Sequence, residues 1–302
     1  MIKNLVKKIM HKPHSYIYPF IVFRKQYLFR RQVESRIDIG FINRKMSKDF
    51  VSGLAVSVFI PVAIKDIACI TPTVNSLKMY LQHPINEIII CGKSDDALVK
   101  KCLELGVKFK DERDVQPIEK DAIDYICDGS DRSSWLYQQF LKINSFNFCS
   151  SDHVLIWDSD TVLLQPTSFE NYGRLIIEYS EELHIPYEVC TMKLIGEYKD
   201  LNLGFTCHKI LFSKEILRAM VRRIESRSHL PWYGAIMESI DTEEASSFSE
   251  YNLYSHYAIT SFAESILIRH WSNLADVKTN NRFRNVLIKR LFSTVSYHSW
   301  AQ

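Results

Sequence analysis

Asp158 and Asp160 are separated by one serine and follow directly on an apolar run, His153-Val154-Leu155-Ile156-Trp157. Two carboxylates at i and i+2 repel each other unless positive charge lies between them. Mg2+ and Mn2+ can supply that charge. They take oxygen ligands, commonly one or two carboxylates completed by the phosphates of a substrate. A cation held in this way stabilises negative charge building on a leaving phosphate. A helix N-cap or a loop aspartate pair uses the same residues, so the chemistry depends on what positions them.

The positioning elements can be read upstream. "LAVSVFIPVAI", Leu54 to Ile64, is continuous and β-branched, the pattern of a buried strand. "NEIIICG", Asn86 to Gly92, is a second, and Pro72 to Gln82 between them suits a crossover helix. "SDDALVKKCLELG" predicts a helix capped by Ser94 and stopped at Gly106, after which "VKF" restarts a strand. Strand–helix–strand–helix–strand implies a parallel sheet with right-handed crossovers. A helix over Ser133 to Phe146 follows, and His153 to Trp157 adds a further strand. Ligands of open parallel sheets gather at the carboxyl ends of strands, where Asp158 and Asp160 stand. The second half is less regular. It holds an amphipathic helix from Ser213 to Arg227, a strand in "ESILIRHW", and a basic amphipathic helix from Asn281 to Phe292.

The 302 residues, 46% hydrophobic and 24% charged, are ordinary globular composition. Seven cysteines are scattered singly with no Cys-x-x-Cys, which argues against a structural zinc site and for reduced thiols in a cytoplasmic compartment. The longest apolar stretch, Leu54 to Ile64, is about half of the roughly 20 residues that span a bilayer. The N-terminus lacks the apolar run of a signal peptide. These features predict a cytoplasmic protein without a transmembrane helix.

The net charge of +3 conceals an asymmetry. Residues 1–48 carry twelve Lys and Arg against Glu34 and Asp38, a balance of +10, so the rest of the chain carries −7. Tyr16, Tyr18, Phe20, Phe23, Tyr27 and Phe29 interleave the cations. Cations mixed with aromatics suit an anionic membrane surface. A solvated basic face packed on the main domain and a nucleic-acid contact are the competing readings. No recognisable nucleic-acid-reading module accompanies the segment, so no nucleic-acid partner is expected. The expected division is a basic aromatic arm over 1–50 and a domain over 51–302, with a nucleotide-binding half at 51–165 and an acceptor half at 166–302.

With strand, acidic pair and βαβ context assembled, "VLIWDSDTVLLQP" resembles the GT-A type of nucleotide-sugar glycosyltransferase. In that type, an Asp-x-Asp after a buried strand holds a metal on the donor diphosphate. "SSWLYQQFLKI", "LGFTCHKILFSKEIL" and "FSEYNLYSHY" extend the resemblance to a bacterial glycosyltransferase-like family of surface-polysaccharide loci, much of it catalogued as a domain of unknown function. The resemblance runs from about Ala55 to the C-terminus and leaves the basic arm outside. It implies an α/β fold with a GT-A, Rossmann-like mixed sheet and flanking helices. It also implies Mn2+ or Mg2+ as cofactor, a nucleotide-sugar donor, and a glycan or lipid-linked acceptor.

Site residues follow from that resemblance. Asp158 and Asp160, with Ser159 between them, face the metal and donor. A C-terminal histidine often completes the metal shell, which points to His298, with His270 as competitor. Carboxylates after the first two strands bond nucleobase or ribose in such enzymes, which points to Asp66, Asp95 and Asp96, although Ser94 and Asp95 can equally cap a helix. Trp135, Gln138 and Lys142, at i, i+3 and i+7, can share one helix face toward the metal. Lys142 and Arg132 suit phosphate, and Gln138 and Gln139 suit sugar hydroxyls or backbone. Asn202, Gly204 and His208 have the character of an acceptor side, and Tyr251 can stack on a sugar. Glu250 among aromatics suits the general base of an inverting reaction, or a positioning or cation-stabilising role in a retaining one. A first-turn glutamate after an N-cap Ser249 would look the same.

Two rivals remain. The strand–Asp-x-Asp pattern also fits a haloacid-dehalogenase-like phosphatase, but the further acidic cluster that chemistry needs is missing downstream, and about 100 residues of βαβ precede the strand. A catalytically inactive membrane-bound scaffold would not need Asp158, Asp160 and Glu250. The expectation is therefore a peripheral enzyme on the inner face of a bacterial membrane, taking part in surface-polysaccharide synthesis.

Overall fold

The computed structural model describes residues 17–38, 40, 42, 50–275 and 282–297. In chain order the elements are α1 (Tyr18–Glu34), β1 (Val56–Pro61), α2 (Ile67–Tyr80), β2 (Ile85–Gly92), α3 (Asp96–Leu105) and β3 (Lys108–Asp111). A small hairpin of β4 (Ile126–Cys127) and β5 (Ser130–Asp131) leads to α4 (Ser133–Asn144), β6 (His153–Trp157), β7 (Thr161–Leu163), β8 (Glu170–Asn171) and β9 (Arg174–Tyr179). Then come α5 (Ile185–Ile195), β10 (Lys209–Ser213), α6 (Lys214–Ser228), α7 (Trp232–Ser239) and α8 (Glu250–Ser261). Last are β11 (Ile266–His270), β12 (Asn273–Ala275), α9 (Arg282–Leu291) and β13 (Thr294–Ser296).

The central sheet has five strands in the order β10-β6-β1-β2-β3. The four strands β6, β1, β2 and β3 are parallel, and β10 runs antiparallel to β6, with Lys209 opposite Trp157. The sheet is therefore mixed and flanked by helices, as the resemblance implied. β1 lies in its middle and is buried along its whole length, which is why its sequence is continuous rather than alternating. Each fully buried Val, Ile or Phe there contributes about 1.5–3 kcal/mol.

Local boundaries moved for identifiable reasons. α2 begins at Ile67, ahead of the expected Pro72, which sits inside the helix. Ile70, buried by the core, anchors that early turn. α3 is capped by Asp95 rather than Ser94: the Asp95 carboxylate accepts from the backbone N–H of Ala97 at 2.9 Å and of Leu98 at 3.2 Å. Its end is as expected, with Gly106 left-handed at φ 60.

Two small three-stranded sheets complete the second half, β11-β9-β8 and β12-β13-β7. The second is the one that matters for the site, because β7 emerges directly from the acidic pair. The described part of the basic segment is packed on the domain. Val33 of α1 joins the main core, Gln26 donates to the Asn273 carbonyl at 2.7 Å, and Ile42 bridges Ile268. All seven cysteines are free thiols. Among the described residues, no helix is long and apolar enough to cross a membrane.

Candidate active site

The turn after β6 is fixed from several sides. Trp157 is fully buried, and its indole N–H donates to the Thr161 carbonyl at 2.7 Å. The Asp158 N–H donates to the His208 carbonyl, and Thr161 N–H closes the turn on the Asp158 carbonyl at 3.1 Å. Thr73 of α2 donates its hydroxyl to the Ser159 carbonyl at 2.8 Å. On the far side Tyr297 N–H reaches the Asp160 carbonyl, continuing the β13–β7 ladder. A loop held by this many backbone contacts presents its carboxylates in one geometry.

The Asp158 carboxylate is not left to repel its neighbour. One of its oxygens accepts from Lys142 Nζ at 2.8 Å and from the Tyr251 hydroxyl at 2.7 Å. Lys142 also pairs with Glu250 at 2.8 Å and lies over the Tyr251 ring at 4.5 Å. Gln139, with its amide nitrogen turned inward, donates to Glu250 Oε2 at 2.6 Å and to the Phe248 carbonyl at 3.0 Å. Two helices meet here: Gln139 and Lys142 come from α4, and Glu250 and Tyr251 from the first turn of α8. Ser249 caps α8 and accepts from the Asn252 N–H. Burial alone would lower the Lys142 ammonium, but the carboxylates of Asp158 and Glu250 outweigh it and push its pKa up. Burial raises the Glu250 carboxyl, with Lys142 opposing and Asp158 adding to the rise. The buried lysine is thus held charged between two acids.

Glu250 lies beneath the site rather than in it. It is 2% exposed, and its two oxygens face Lys142 and Gln139. It reaches the reacting region only through Lys142 and Asp158. As the general base expected from the sequence it would need an acceptor hydroxyl within hydrogen-bond reach, and here both of its oxygens are turned to Lys142 and Gln139.

Asp66, just after β1, feels the Asp160 charge. Burial is the main cause of its raised pKa, Lys65 opposes, and Asp160 adds to the rise. Asp66 follows β1, and Asp158 and Asp160 follow β6, its parallel neighbour, so all three come after the carboxyl ends of adjacent strands. A cavity of about 300 Å³ opens at the ends of β1, β2 and β3; Asp66, Asp158 and Asp160 are not among the residues that line it. Lys65, Lys93, Lys120, Glu112, Tyr137 and Gln138 are among the residues that line it. These charged residues, except Lys120, follow or border the ends of β1, β2 and β3. The rule that ligands collect at strand ends was the signal that could have singled them out.

The other predicted residues fall elsewhere. Trp135 packs near Tyr125 and under the Arg132 guanidinium at 4.8 Å, two turns of α4 before Lys142 and away from the acids. Arg132 is held by the Ala245 carbonyl at 2.7 Å and by Ser246. Asp95 is occupied as a helix cap, Asp96 is exposed in the first turn of α3, and neither is among the residues lining the cavity. Asn202 takes a left-handed turn at φ 52. Gly204 is needed for close packing: a Cβ there would sit 1.7 Å from the Glu182 carbonyl oxygen. His208 supplies its carbonyl to Asp158, while its ring stacks edge-on to Trp271 and approaches Ser296 at 3.2 Å. His270 faces Glu181 at 3.6 Å and the Tyr179 ring. His298 lies outside the described residues.

Among the described residues, no group of three His, Cys, Asp or Glu gathers in a metal-holding arrangement. The donors present are hard carboxylate oxygens, two of them on one rigid turn. That set fits Mg2+ or Mn2+ completed by phosphate oxygens, and does not fit a self-contained protein cage.

A family model described as a family of unknown function, DUF6492, matches residues 55–289, and the chain belongs to that family. No curated protein matches the sequence. Solved structures do. Mouse xyloside xylosyltransferase 1 in its apo form is 11% identical, with 83% of this chain and 99% of that one covered and a TM-score of 0.45. Galactosyltransferase LgtC in complex with donor and acceptor sugar analogues is 10% identical over 80% of this chain and 86% of its own, TM-score 0.44. Glucosyl-3-phosphoglycerate synthase from Mycobacterium tuberculosis, with Mn2+, UDP-glucose and phosphoglyceric acid, is 16% identical over 79% and 76%, TM-score 0.43.

Proposed function

We propose that the protein is a metal-dependent glycosyltransferase that moves a sugar from a nucleotide-sugar donor to a glycan or lipid-linked acceptor in bacterial surface-polysaccharide synthesis. The observation that carries this reading is the Asp158–Ser159–Asp160 turn at the carboxyl end of β6. It is clamped in place, tied by Thr73 to the helix that follows β1, and the cavity at the strand ends is lined by Lys65 from the same connection. Bound there, Mn2+ or Mg2+ would supply charge stabilisation for a leaving diphosphate.

In this reading Lys142 and Tyr251 orient Asp158, and Glu250 is a positioning residue that holds Lys142. Ser159 stays buried, and its carbonyl fixes the turn on α2. Gln138, Glu112 and the lysines of the cavity bind the nucleoside part of the donor, and Asp66 the ribose side. His208 and its neighbours flank the acceptor approach.

The test is a thermal-shift series of the purified chain against UDP, GDP, CDP, CMP and ADP, each with and without Mn2+. A ligand that binds only the folded state raises the melting temperature by mass action. The expected result is a metal-dependent rise for one nucleotide that Asp158→Asn removes. Asn at this position can still accept from Lys142 and Tyr251, so the fold should persist. Transfer activity should fall by about 10³-fold or more, the scale of several kcal/mol of transition-state charge stabilisation. No rise with any nucleotide, or full activity in the variant, would remove the reading.

A further inference from the structure

The outward face of α1 is unusual for a helix docked on a soluble domain. Its inner side is used: Pro19, Gln26 and Val33 are buried, and the Phe23 ring meets Phe292 edge to face at 6.2 Å. Opposite, Phe20, Arg24, Tyr27 and Arg31 stand at i, i+4, i+7 and i+11, a single stripe of the helix, and all four are exposed. Leu28 and Lys25 flank the stripe. Phe20, Tyr27 and Leu28 are 49%, 51% and 56% exposed, so about half of each side chain meets water. The acid of this helix, Glu34, is neutralised by Arg30 at 2.7 Å. α9 packs alongside α1 and adds exposed Lys289, Arg290 and Val286.

We infer that the α1–α9 surface docks on an anionic lipid bilayer, with the aromatic and leucine side chains entering the headgroup boundary and the basic side chains meeting lipid phosphates. Apolar groups that cost free energy in water gain it at the interface, and cations beside them favour negatively charged lipid. The surface shares a small core with the catalytic turn. Leu164, Ile288, Phe292 and Val295 pack together, and Leu164 N–H donates to the Ser293 carbonyl at 2.8 Å, one strand from Asp160. Bilayer docking would therefore bring the acidic pair close to the lipid surface. That last consequence rests on the transferase reading; the docking itself does not.

Flotation of the full chain with vesicles tests it. Binding is expected to mixed phosphatidylglycerol–phosphatidylcholine vesicles and not to phosphatidylcholine alone, and it should weaken as salt is raised. Each basic residue near an anionic surface contributes roughly a fivefold factor in binding. Arg24→Glu with Arg31→Glu should therefore weaken binding by about 25-fold or more. Phe20→Ser with Tyr27→Ser should weaken it independently while leaving the salt dependence in place. Both pairs are exposed, so melting curves should match the parent chain. Equal binding to neutral vesicles, no binding to anionic ones, or unchanged binding by the charge-reversed variant would overturn the inference. So would a dimer in solution that the same variants dissociate, or binding of duplex RNA in place of vesicles. Loss of vesicle binding with nucleotide shifts intact would separate this inference from the transferase reading.

Discussion

Two buried ion networks, one across strands and one between two helices and the turn after β6, are built in opposite senses. At Glu178, on β9, one carboxylate serves two cations: Lys209 at 2.5 Å and Arg269 at 2.9 Å. Arg269 also donates to the Ser168 carbonyl, and Lys209 lies over the Trp157 and Trp271 rings. At Lys142, one cation serves two carboxylates, with Asp160 and Asp66 adding further negative charge nearby. In the first network the anion and one cation are sealed in, Glu178 at 3% and Lys209 at 1% exposed, and only the cation Arg269 reaches the surface, at 21%. The second opens at its acidic end, where the Asp158 side chain is 26% exposed. A closed network with surplus positive charge can only hold strands together. An open one with surplus negative charge is where the proposed function puts a cation brought from outside.

Removing the anion from the sealed network should have the largest effect on stability. Glu178→Ala leaves Lys209 buried without its carboxylate, while Arg269 keeps the Ser168 carbonyl, and breaking a buried pair in this way costs about 3–5 kcal/mol. Because β9 carries Glu178 and β10 carries Lys209, the loss should appear as a lower denaturation midpoint of the whole domain, read by urea titration. A change below about 1 kcal/mol would mean that the network is not the brace described here.

Glu87 sharpens the same contrast at the other end of the sheet. Its carboxylate accepts from Ser57, from the Ser150 N–H and hydroxyl, and from Lys108. Burial would raise its pKa, but Lys108, Ser150 and Ser57 outweigh it and bring it down to about 2. A depressed carboxyl contributes stability that is present above its unfolded value near 4.5 and is lost as pH falls toward 2. With Lys108 65% exposed and its share screened by solvent, the contribution is about 2 kcal/mol. Glu87→Gln should lose that amount at neutral pH and flatten the stability curve between pH 4.5 and 2. An unchanged acid limb would show that other groups carry the acid sensitivity.

The parts of this architecture legible in the sequence are those written in consecutive residues. β1, β2 and β6 are buried on both faces, so their apolar runs are unbroken, and the acidic pair stands where such a run ends. Lys142, Asp158, Glu250 and Tyr251 could each be singled out, but their pairing could not: Glu250 lies more than a hundred residues from Lys142 and meets it only because α4 and α8 cross. Trp135, Gln138 and Lys142 match a helical repeat, yet Gln139 is the residue that joins Lys142 at Glu250, because the facing helix decides which stripe is used. Gly204 and His208 look like ligand contacts in isolation. One is small because the Glu182 carbonyl touches it, and the other supplies its backbone to Asp158. The β13–β7 pairing that braces the acidic turn joins residues with no common pattern, and β-pairing across such a separation leaves little local trace.

The smallest expected effect tests the open network most directly. Asp160→Asn removes one negative charge, and the Thr161 hydroxyl, 3.3 Å from the Asp160 carboxylate, can still donate to the amide oxygen. The backbone carbonyl held by Tyr297 is untouched. With Asp160 neutral, the repulsion that helps raise the Asp66 carboxyl is gone, which favours the metal-free variant by about 0.5–1 kcal/mol and offsets part of any contact its charge makes. Added Mn2+ with the matching nucleotide should then stabilise the parent chain and not the variant, read as melting temperature at fixed pH. A metal-free loss of several kcal/mol would instead make Asp160 a structural brace like Glu178. The asymmetry between the two networks would then be a difference of exposure alone.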